Sequence, residues 1–250
     1  MLSLIGSSGY QVCVTRDSGD IRAAQRLRYE VFNVELGEGL ATSCEEELDA
    51  DPFDRQCDHI VIRESATGRV VGTYRLQTGA MAGAGMGYYS AQEFDFRPYE
   101  TLRDEVLELG RACIHTDHRR RAVLDLLWRG IARYASLRGS RYLVGCSSLT
   151  SQDPAEGWGL YQRLKDAHLA PPALRTEPIG DYQMPAPGHV EHRVKIPKLF
   201  AAYLNIGAFI AGPPALDRGF QTIDFLTILD VTKASGAGFK HFFAGNGQEH

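Results

Sequence analysis

The chain has no C-x-x-C pair, no uninterrupted apolar run long enough to cross a bilayer and no excess of positive charge. Its five cysteines, Cys13, Cys44, Cys57, Cys113 and Cys146, are odd in number and scattered, which argues against a disulfide framework and a zinc knuckle and makes the reducing cytoplasm the expected compartment. Met1–Gly6 carries no basic residue, and its apolar run is too short for a signal peptide. The longest apolar stretch, Leu199 to Leu216, is broken by Asn205, Gly207, Gly212 and Pro213-Pro214. It falls short of the roughly 20 residues a spanning helix needs, so it reads as a core helix or an interfacial one. With 27 Lys+Arg against 31 Asp+Glu, the net charge of −4 gives nucleic acid no attractive average field.

Several catalytic signatures are missing as well. There is no G-x-S-x-G, and Gly145-Cys-Ser-Ser-Leu149 lacks the closing glycine of a nucleophile elbow. The glycines of 79–87 do not fit G-x-G-x-x-G and no long helical pattern follows them, so that segment is expected to be a flexible loop. His115-Thr-Asp-His118 offers two imidazoles without a further ligand cluster, and no metal is expected.

What remains is 250 residues, 44% hydrophobic and 23% charged, enough for one large globular domain or two small ones. Tyr10–Thr15 alternates like a strand, and Asp17 or Ser18 offers a cap for a helix bearing Ile21, Leu27, Val31 and Phe32. His59–Arg63 and Arg69–Leu76 read as a hairpin, and Glu105–Ile114 as the next strand. A helix from about Arg120 to Leu137 presents Val123, Leu127, Ile131 and Tyr134 on one face. The strand Arg141–Ser147 and the helix Ala155–Ala167 follow, which makes a mixed α/β layer architecture. Beyond a Pro-rich connector (Pro171, Pro172, Pro178, Pro185, Pro187) come an apolar helix near 198–211 and an alternating run, Phe220 to Leu229.

The small net charge conceals two opposed blocks. Glu45 to Asp58 holds seven acids and one base, whereas Arg119 to Arg141 holds seven arginines and one acid. Each block is either a solvated face, as the i, i+4 spacing of Arg121, Asp125 and Arg129 suggests, or a receptor for charge of the opposite sign.

Four clusters in order, Arg28-Tyr-Glu-Val-Phe32, Asp49-Ala-Asp-Pro-Phe-Asp54, Val71-Gly-Thr-Tyr-Arg75 and Glu108-Leu-Gly-Arg111, resemble the signatures of acyl-homoserine lactone synthases. These form the branch of the GNAT acyltransferase superfamily that takes long acyl chains from acyl carrier protein. Tyr89–Asp95, Glu108–Cys113, Leu127–Ile131, Gly145–Pro154, Gly207–Asp217 and Thr222–Phe225 are closer still to the ornithine-lipid N-acyltransferases, often labelled hemolysin-like, and to N-acyl amino acid synthases. The resemblance covers about residues 20–230. It implies an α/β fold with a mixed, mostly antiparallel central sheet flanked by helices. It also implies a GNAT-like core over 1–170 and a connector with a C-terminal extension over 171–250 packing on it. One departure stands out: the usual cofactor loop reads Q/R-x-x-G-x-G/A, whereas Arg119-Arg-Arg-Ala-Val-Leu124 lacks both glycines. The usual mode of coenzyme A binding is therefore not expected. The implied donor is the phosphopantetheine arm of acyl carrier protein, with a coenzyme A thioester left open and no tightly bound cofactor.

Forming an amide from a thioester requires a deprotonated amine, a placed carbonyl, a stabilised oxyanion and an exit for the thiol, and it needs no nucleophilic residue. Glu108 and Arg111 are three apart on one strand and point to opposite faces unless a bulge intervenes; the resemblance implies such a bulge. Glu108 is the general-base candidate, with a structural Glu108–Arg111 ion pair as the alternative. Asp49, Asp51 and Asp54, with Arg28 and Arg75, are expected to clamp an amino-acid head group, and Phe32 and Ser147 to contact substrate. Tyr161 occupies the place of a tyrosine that protonates the leaving thiolate in the family, or is simply a packed aromatic. Arg119, Arg120 and Arg121 are the expected contacts for acidic acyl carrier protein and its phosphate.

The implied function is transfer of a long acyl chain, 3-hydroxylated or not, from acyl carrier protein to the α-amine of an amino acid, ornithine first. The same chemistry on glycine or a polyamine, a homoserine-lactone synthase, and a silent module that binds carrier protein or membrane are the rivals. A cytoplasmic enzyme peripheral to the inner face of the membrane is expected, because its product would be amphiphilic. The apolar helix near Leu199–Ile210, preceded by Lys195 and Lys198, either lies on that membrane or covers an acyl tunnel.

Overall fold

The structure is a computed structural model that describes residues 2–7, 9–39, 43–191 and 193–234. Residues 235–250 of the expected C-terminal extension lie outside the described residues. Nine strands form one sheet: β1 (Leu2–Ser7), β2 (Tyr10–Thr15), β3 (Asp58–Glu64), β4 (Val70–Thr78), β5 (Val106–Ile114), β6 (Tyr142–Leu149), β7 (Phe209–Ile210), β8 (Ala215–Asp217) and β9 (Thr222–Asp230). Their order is β1-β2-β3-β4-β5-β6-β9-β7, with β8 also pairing β9. Every pairing is antiparallel except β5 with β6. The helices are α1 (Ser18–Tyr29), α2 (Ser43–Glu46), α3 (Gly79–Ala84), α4 (Arg121–Leu137), α5 (Pro154–His168) and α6 (Lys198–Asn205). This is the expected α/β fold, a large, mostly antiparallel sheet flanked by helices.

Strand periodicity sorts the core into layers. Val12, Val14, Ile60 and Ile62 point to one face and pack under Val123, Leu127, Ile131 and Tyr134 of α4. Their neighbours Cys13 and Val61 point to the other face and meet Ala24 and Leu27 of α1. α1 starts where its sequence says, with the Asp17 carboxylate accepting from the N–H groups of Gly19 and Asp20. It continues into a π-helical turn over Glu30–Glu35 that carries Phe32, a geometry frequent at functional sites.

Three segments depart from the sequence reading, one of them the apolar helix expected near 198–211, which stops at Asn205 while Phe209–Ile210 forms a strand. Leu2–Ser7 is an edge strand, and residues 79–84 form a helix where a loop was expected. The Thr78 hydroxyl caps that helix by accepting from the Met81 N–H at 3.3 Å. A Cβ at Gly79 would lie 1.8 Å from the Arg103 carbonyl oxygen. Glycine is thus used here for a close approach rather than for flexibility.

The sheet does not stop at the Pro-rich connector. β9 pairs along all of β6, from Tyr142 opposite Asp230 to Leu149 opposite Ile223. The segments around α6, β7 and β8 therefore close over one end of the sheet.

Candidate active site

β5 and β6 pair only from Val106–Glu108 to Tyr142–Val144. Beyond that point a cavity of about 290 Å³ opens, walled by Leu109–Ala112 of β5 and Cys146–Ser148 of β6. Gly145 sits where the strands part, and a Cβ there would lie 2.2 Å from the Leu109 carbonyl oxygen. Phe32 and Leu36 line the cavity on one side, and Pro197, Leu199, Phe200 and Tyr203, in and just before α6, cover it on another. The Tyr203 and Tyr74 hydroxyls are hydrogen-bonded at 2.8 Å. α6 therefore supplies cavity wall; Phe200 is buried, while Leu199 remains 38% exposed.

β5 carries a bulge opposite β4. Thr73 pairs with Cys113 and Arg75 with Gly110, so three residue steps on β5 face two on β4. Arg111 takes up the difference with φ of 54°, a left-handed conformation rare for a residue with a side chain. Glu108 and Arg111 consequently both line the cavity.

They do not pair with each other. The Glu108 carboxylate accepts from the backbone N–H groups of Tyr89 at 2.8 Å and Ser90 at 2.7 Å. Burial raises its pKa above the ordinary carboxylate value, against the lowering effect of those two bonds.

Arg111 faces the aspartates instead, with Nη2 3.0 Å from Asp51 and Nε 3.4 Å from Asp49. Its guanidinium stacks on Phe220, 4.1 Å from the ring centroid. Arg75 reaches Asp51 at 2.6 Å and Asp54 at 3.0 Å. Arg28, wholly buried, reaches Asp54 at 2.6 Å and Asp49 at 2.9 Å. Three arginines thus neutralise three aspartates. Burial opposes ionisation of Asp54, but the Arg28 hydrogen bond and the charges of Arg28 and Arg75 prevail and hold its carboxyl far below the usual range. Asp51 is lowered likewise: burial is outweighed by Arg75 and Arg111.

Asp51 and Asp54 also form a reciprocal cap on the short 3₁₀ helix Pro52–Arg55. Of the expected head-group clamp, only Arg75 lines the cavity; Arg28, Asp49, Asp51 and Asp54 lie behind the wall. The aspartates of the acidic block are therefore not an open cation receptor, because their charge is met within the protein, while Glu45, Glu46 and Glu47 stay exposed.

Ser147 lines the cavity and accepts from the Thr227 hydroxyl at 2.8 Å. Tyr161 does not reach the cavity; it packs against Trp158 with ring centroids 5.8 Å apart. Arg119, Arg120 and Arg121 lie at the N-terminal end of α4, outside the cavity lining. Arg119 is bonded to Glu35, with Nη2 2.7 Å from Oε2, and Arg121 lies 3.8 Å from Asp125. Arg120 is exposed, without an ion pair among the described residues.

The sequence reading assigned no role to Tyr89, Ser90, Cys146, Asp217 or Asp224, all of which line the same cavity, nor to Glu93 beside them. Glu93 Oε2 lies 3.8 Å from the Cys146 thiol. One local signal was present for Asp224: Thr222 and Asp224 alternate with the apolar Ile223 and Phe225, which places the two polar groups on one face of β9. Burial, then the charges of Glu93 and Asp224, keep the Cys146 thiol protonated well above its usual range. This cysteine is not a ready nucleophile.

An acetyltransferase (GNAT) domain matches residues 27–129. The chain is 34% identical to an L-ornithine N(alpha)-acyltransferase of Rhodobacter capsulatus, over 94% of each chain. It is 29% identical to a protein of that name from Brucella abortus, over 98% of this chain and 92% of the relative. The solved structure of the AHL synthase LasI aligns over 96% of both chains, with a TM-score of 0.53 at 14% identity, and so shares the fold. The chain belongs to the L-ornithine N(alpha)-acyltransferase family and is an N-acyltransferase on the GNAT fold.

Proposed function

We propose that the protein transfers a long acyl chain, 3-hydroxylated or not, from the thioester of acyl carrier protein to the α-amine of ornithine. The observation that carries this reading is the cavity at the parting of β5 and β6, with Glu108 facing it, in a chain that matches L-ornithine N(alpha)-acyltransferases over nearly its whole length.

In this reaction the amine nitrogen attacks the thioester carbonyl, the carbon–sulfur bond breaks, the thiol leaves, and an amide remains. The α-ammonium must first lose a proton. Glu108 accepts it, directly or through water, and its raised pKa makes it a stronger base than a free carboxylate. The edge of β5 beyond Glu108 is not paired to β6, and in this reading the backbone N–H groups along it stabilise the oxyanion. No acyl-enzyme is needed, in keeping with a Cys146 thiol held protonated by burial.

Arg111 and Arg75, although their charge is balanced by the aspartates behind them, present guanidinium groups on the cavity wall, and these hydrogen-bond the acceptor's carboxylate. The apolar wall of Phe32, Leu36, Leu199 and Phe200 takes the acyl chain. Arg119, Arg120 and Arg121 receive the phosphopantetheine phosphate and the acidic carrier protein, and the enzyme works at the inner face of the membrane, where its product belongs.

The test is to incubate the purified protein with acyl carrier proteins loaded at several chain lengths, and with the matching coenzyme A thioesters, against a panel of amines. Mass spectrometry should find N-acylornithine as the main product. Preferential acylation of glycine or a polyamine would overturn the acceptor assignment, and absence of any acylated amine would overturn the reading as a whole.

A further inference from the structure

The arginine–aspartate cluster leaves a second group of buried acids without any cation. Glu93, Asp217 and Asp224 are 1%, 4% and 5% exposed, and none has an ion pair among the described residues. Asp217 is occupied in capping the turn before β9, where its Oδ1 accepts from the N–H groups of Gly219 at 2.7 Å and Phe220 at 2.9 Å. Asp224 is not: its Oδ1 has no hydrogen-bond partner. The Thr222 hydroxyl, 2% exposed and beside Asp224, likewise makes no hydrogen bond of good geometry. Both Asp224 and Thr222 line the cavity. Buried carboxylate and hydroxyl oxygens left unpaired are costly and rare, and a pair of them on one cavity wall marks a place for a ligand that donates hydrogen bonds and carries positive charge.

The candidate base and the acidic group line the same cavity and are linked through Ser90. The Ser90 N–H bonds Glu108 at 2.7 Å, and the Ser90 hydroxyl lies 3.6 Å from the Cys146 sulfur. Polar atoms of Cys146, Glu93 and Asp224 all lie within 4.8 Å of one another. One residue therefore separates Glu108 from the acidic group. In an extended ornithine the two nitrogens are roughly 6 Å apart, five single bonds of about 1.5 Å each.

We propose that Asp224, seconded by Thr222 and backed by Glu93, binds the side-chain ammonium of the acceptor while its α-amine faces Glu108, so that this wall selects diamino acids over amino acids with uncharged side chains. The inference rests on the reading of the protein as an acyltransferase acting on ornithine, and names the part of the site that recognises it. Burial, then the charges of Asp224 and Asp217, raise the Glu93 carboxyl, and burial with the charge of Asp217 raises that of Asp224, when the site is empty. An arriving ammonium supplies the missing counter-charge in place of a shared proton.

The experiment measures kcat/KM for ornithine and for 2-aminopentanoic acid, which is ornithine without its terminal amine, in the wild type and in Asp224→Asn. The wild type should favour ornithine by roughly 100-fold or more, as a site with a buried polar partner rejects the analogue that lacks it. Asp224→Asn should bring the two acceptors within a few-fold by losing ornithine activity alone. An unchanged preference in the variant overturns the assignment of Asp224 but leaves ornithine acylation standing, whereas a wild type that acylates other amines and not ornithine overturns both. If Asp224→Asn does not fold, Thr222→Val is the second probe; its KM should rise several-fold for ornithine and stay put for 2-aminopentanoic acid. Equal changes for the two acceptors count against the site. Metal analysis of the purified protein guards the remaining alternative: a stoichiometric ion whose removal by chelator abolishes activity would mean that Glu93, Cys146 and Asp224 are metal ligands and would overturn the proposal.

Discussion

Glu108 and Arg111 face one cavity without touching, because Arg111 occupies a left-handed bulge that turns it onto the side of the strand where Glu108 already points. Their partners differ accordingly. Glu108 is held by two backbone N–H groups and Arg111 by Asp49 and Asp51. The two N–H bonds lower the Glu108 pKa, but burial outweighs them and leaves its basicity raised, whereas the guanidinium-paired Asp51 and Asp54 lose theirs.

Glu108→Gln should therefore remove the base while retaining most of the scaffold. We expect kcat to fall by about 100-fold or more with little change in KM. A modest loss of stability, about 1–2 kcal/mol, is also expected, because the amide nitrogen cannot accept the second N–H. In the wild type, burial places the acid limb of the kcat/KM profile above the ordinary glutamate value of 4.5, and that limb should vanish in Glu108→Gln. Steady-state rates across pH, with circular dichroism as a control for folding, check both points; a variant that keeps its turnover would remove Glu108 from the mechanism.

The ion cluster behind the cavity makes a separate prediction about stability. Arg28→Met leaves Asp49 and Asp54 short of a buried counter-charge, and breaking such a cluster from one side costs about 3–5 kcal/mol. Urea unfolding at neutral pH should show it. In the wild type, Asp51 and Asp54 titrate below the ordinary aspartate value of 3.8 in the folded state. The stability they contribute is complete above that value and is lost as pH falls through it and below. Glu93 and Glu108 act in the opposite sense: with raised folded values, what they contribute is present below the ordinary glutamate value of 4.5 and fades as pH rises through the folded ones. A Tm that did not drop as pH was lowered from 4 to 2 would contradict the ion-pair account.

Much of this fold was legible because it rests on local periodicity. Tyr10–Thr15, the 59–76 hairpin and the stripe of Val123, Leu127, Ile131 and Tyr134 all fall on the elements their patterns specify. Leu2–Ser7 escaped because it is an edge strand in which Leu2, Ser3 and Gly6 are exposed and Leu4 is buried. Gly79–Ala84 escaped because its glycines read as loop, while the Thr78 cap and the Arg103 carbonyl impose a helix. The site divides in the same way. The acidity of 45–58 was visible, but its partners Arg28, Arg75 and Arg111 are brought in by other elements, and no local pattern encodes pairs separated by 21 to 60 residues. Asp224 lay hidden as one polar letter in an alternating strand; only the fold sets it across the cavity from Glu108.

Gly145 should be irreplaceable for reasons of space. A Cβ at 2.2 Å from the Leu109 carbonyl oxygen meets fixed backbone and cannot be relieved by a rotamer change. Gly145→Ala should cost about 1–3 kcal/mol, or more if the strands cannot shift apart. Since Leu109 adjoins Glu108, kcat should suffer beyond the loss of folded protein. Activity normalised to the folded fraction tests this, and a variant with wild-type Tm and rate would show that β5 and β6 are looser here than their geometry indicates.

Carrier-protein recognition should depend on Arg120 and Arg121 more than on Arg119. Arg119 is engaged by Glu35, and its charge is largely met. The Arg121 side chain is 91% exposed, with only a 3.8 Å contact to Asp125, and Arg120 is exposed too. Attraction between exposed charges is screened over about 10 Å at 0.1 M salt. The KM for acyl carrier protein should thus rise steeply with ionic strength in the wild type. Arg120→Ala/Arg121→Ala should raise it by about 5- to 10-fold at low salt and flatten the dependence, as loss of steering charges does. Glu35→Ala releases Arg119 and should act the other way, lowering KM at low salt. A KM indifferent to salt in the wild type would show that the carrier protein docks elsewhere.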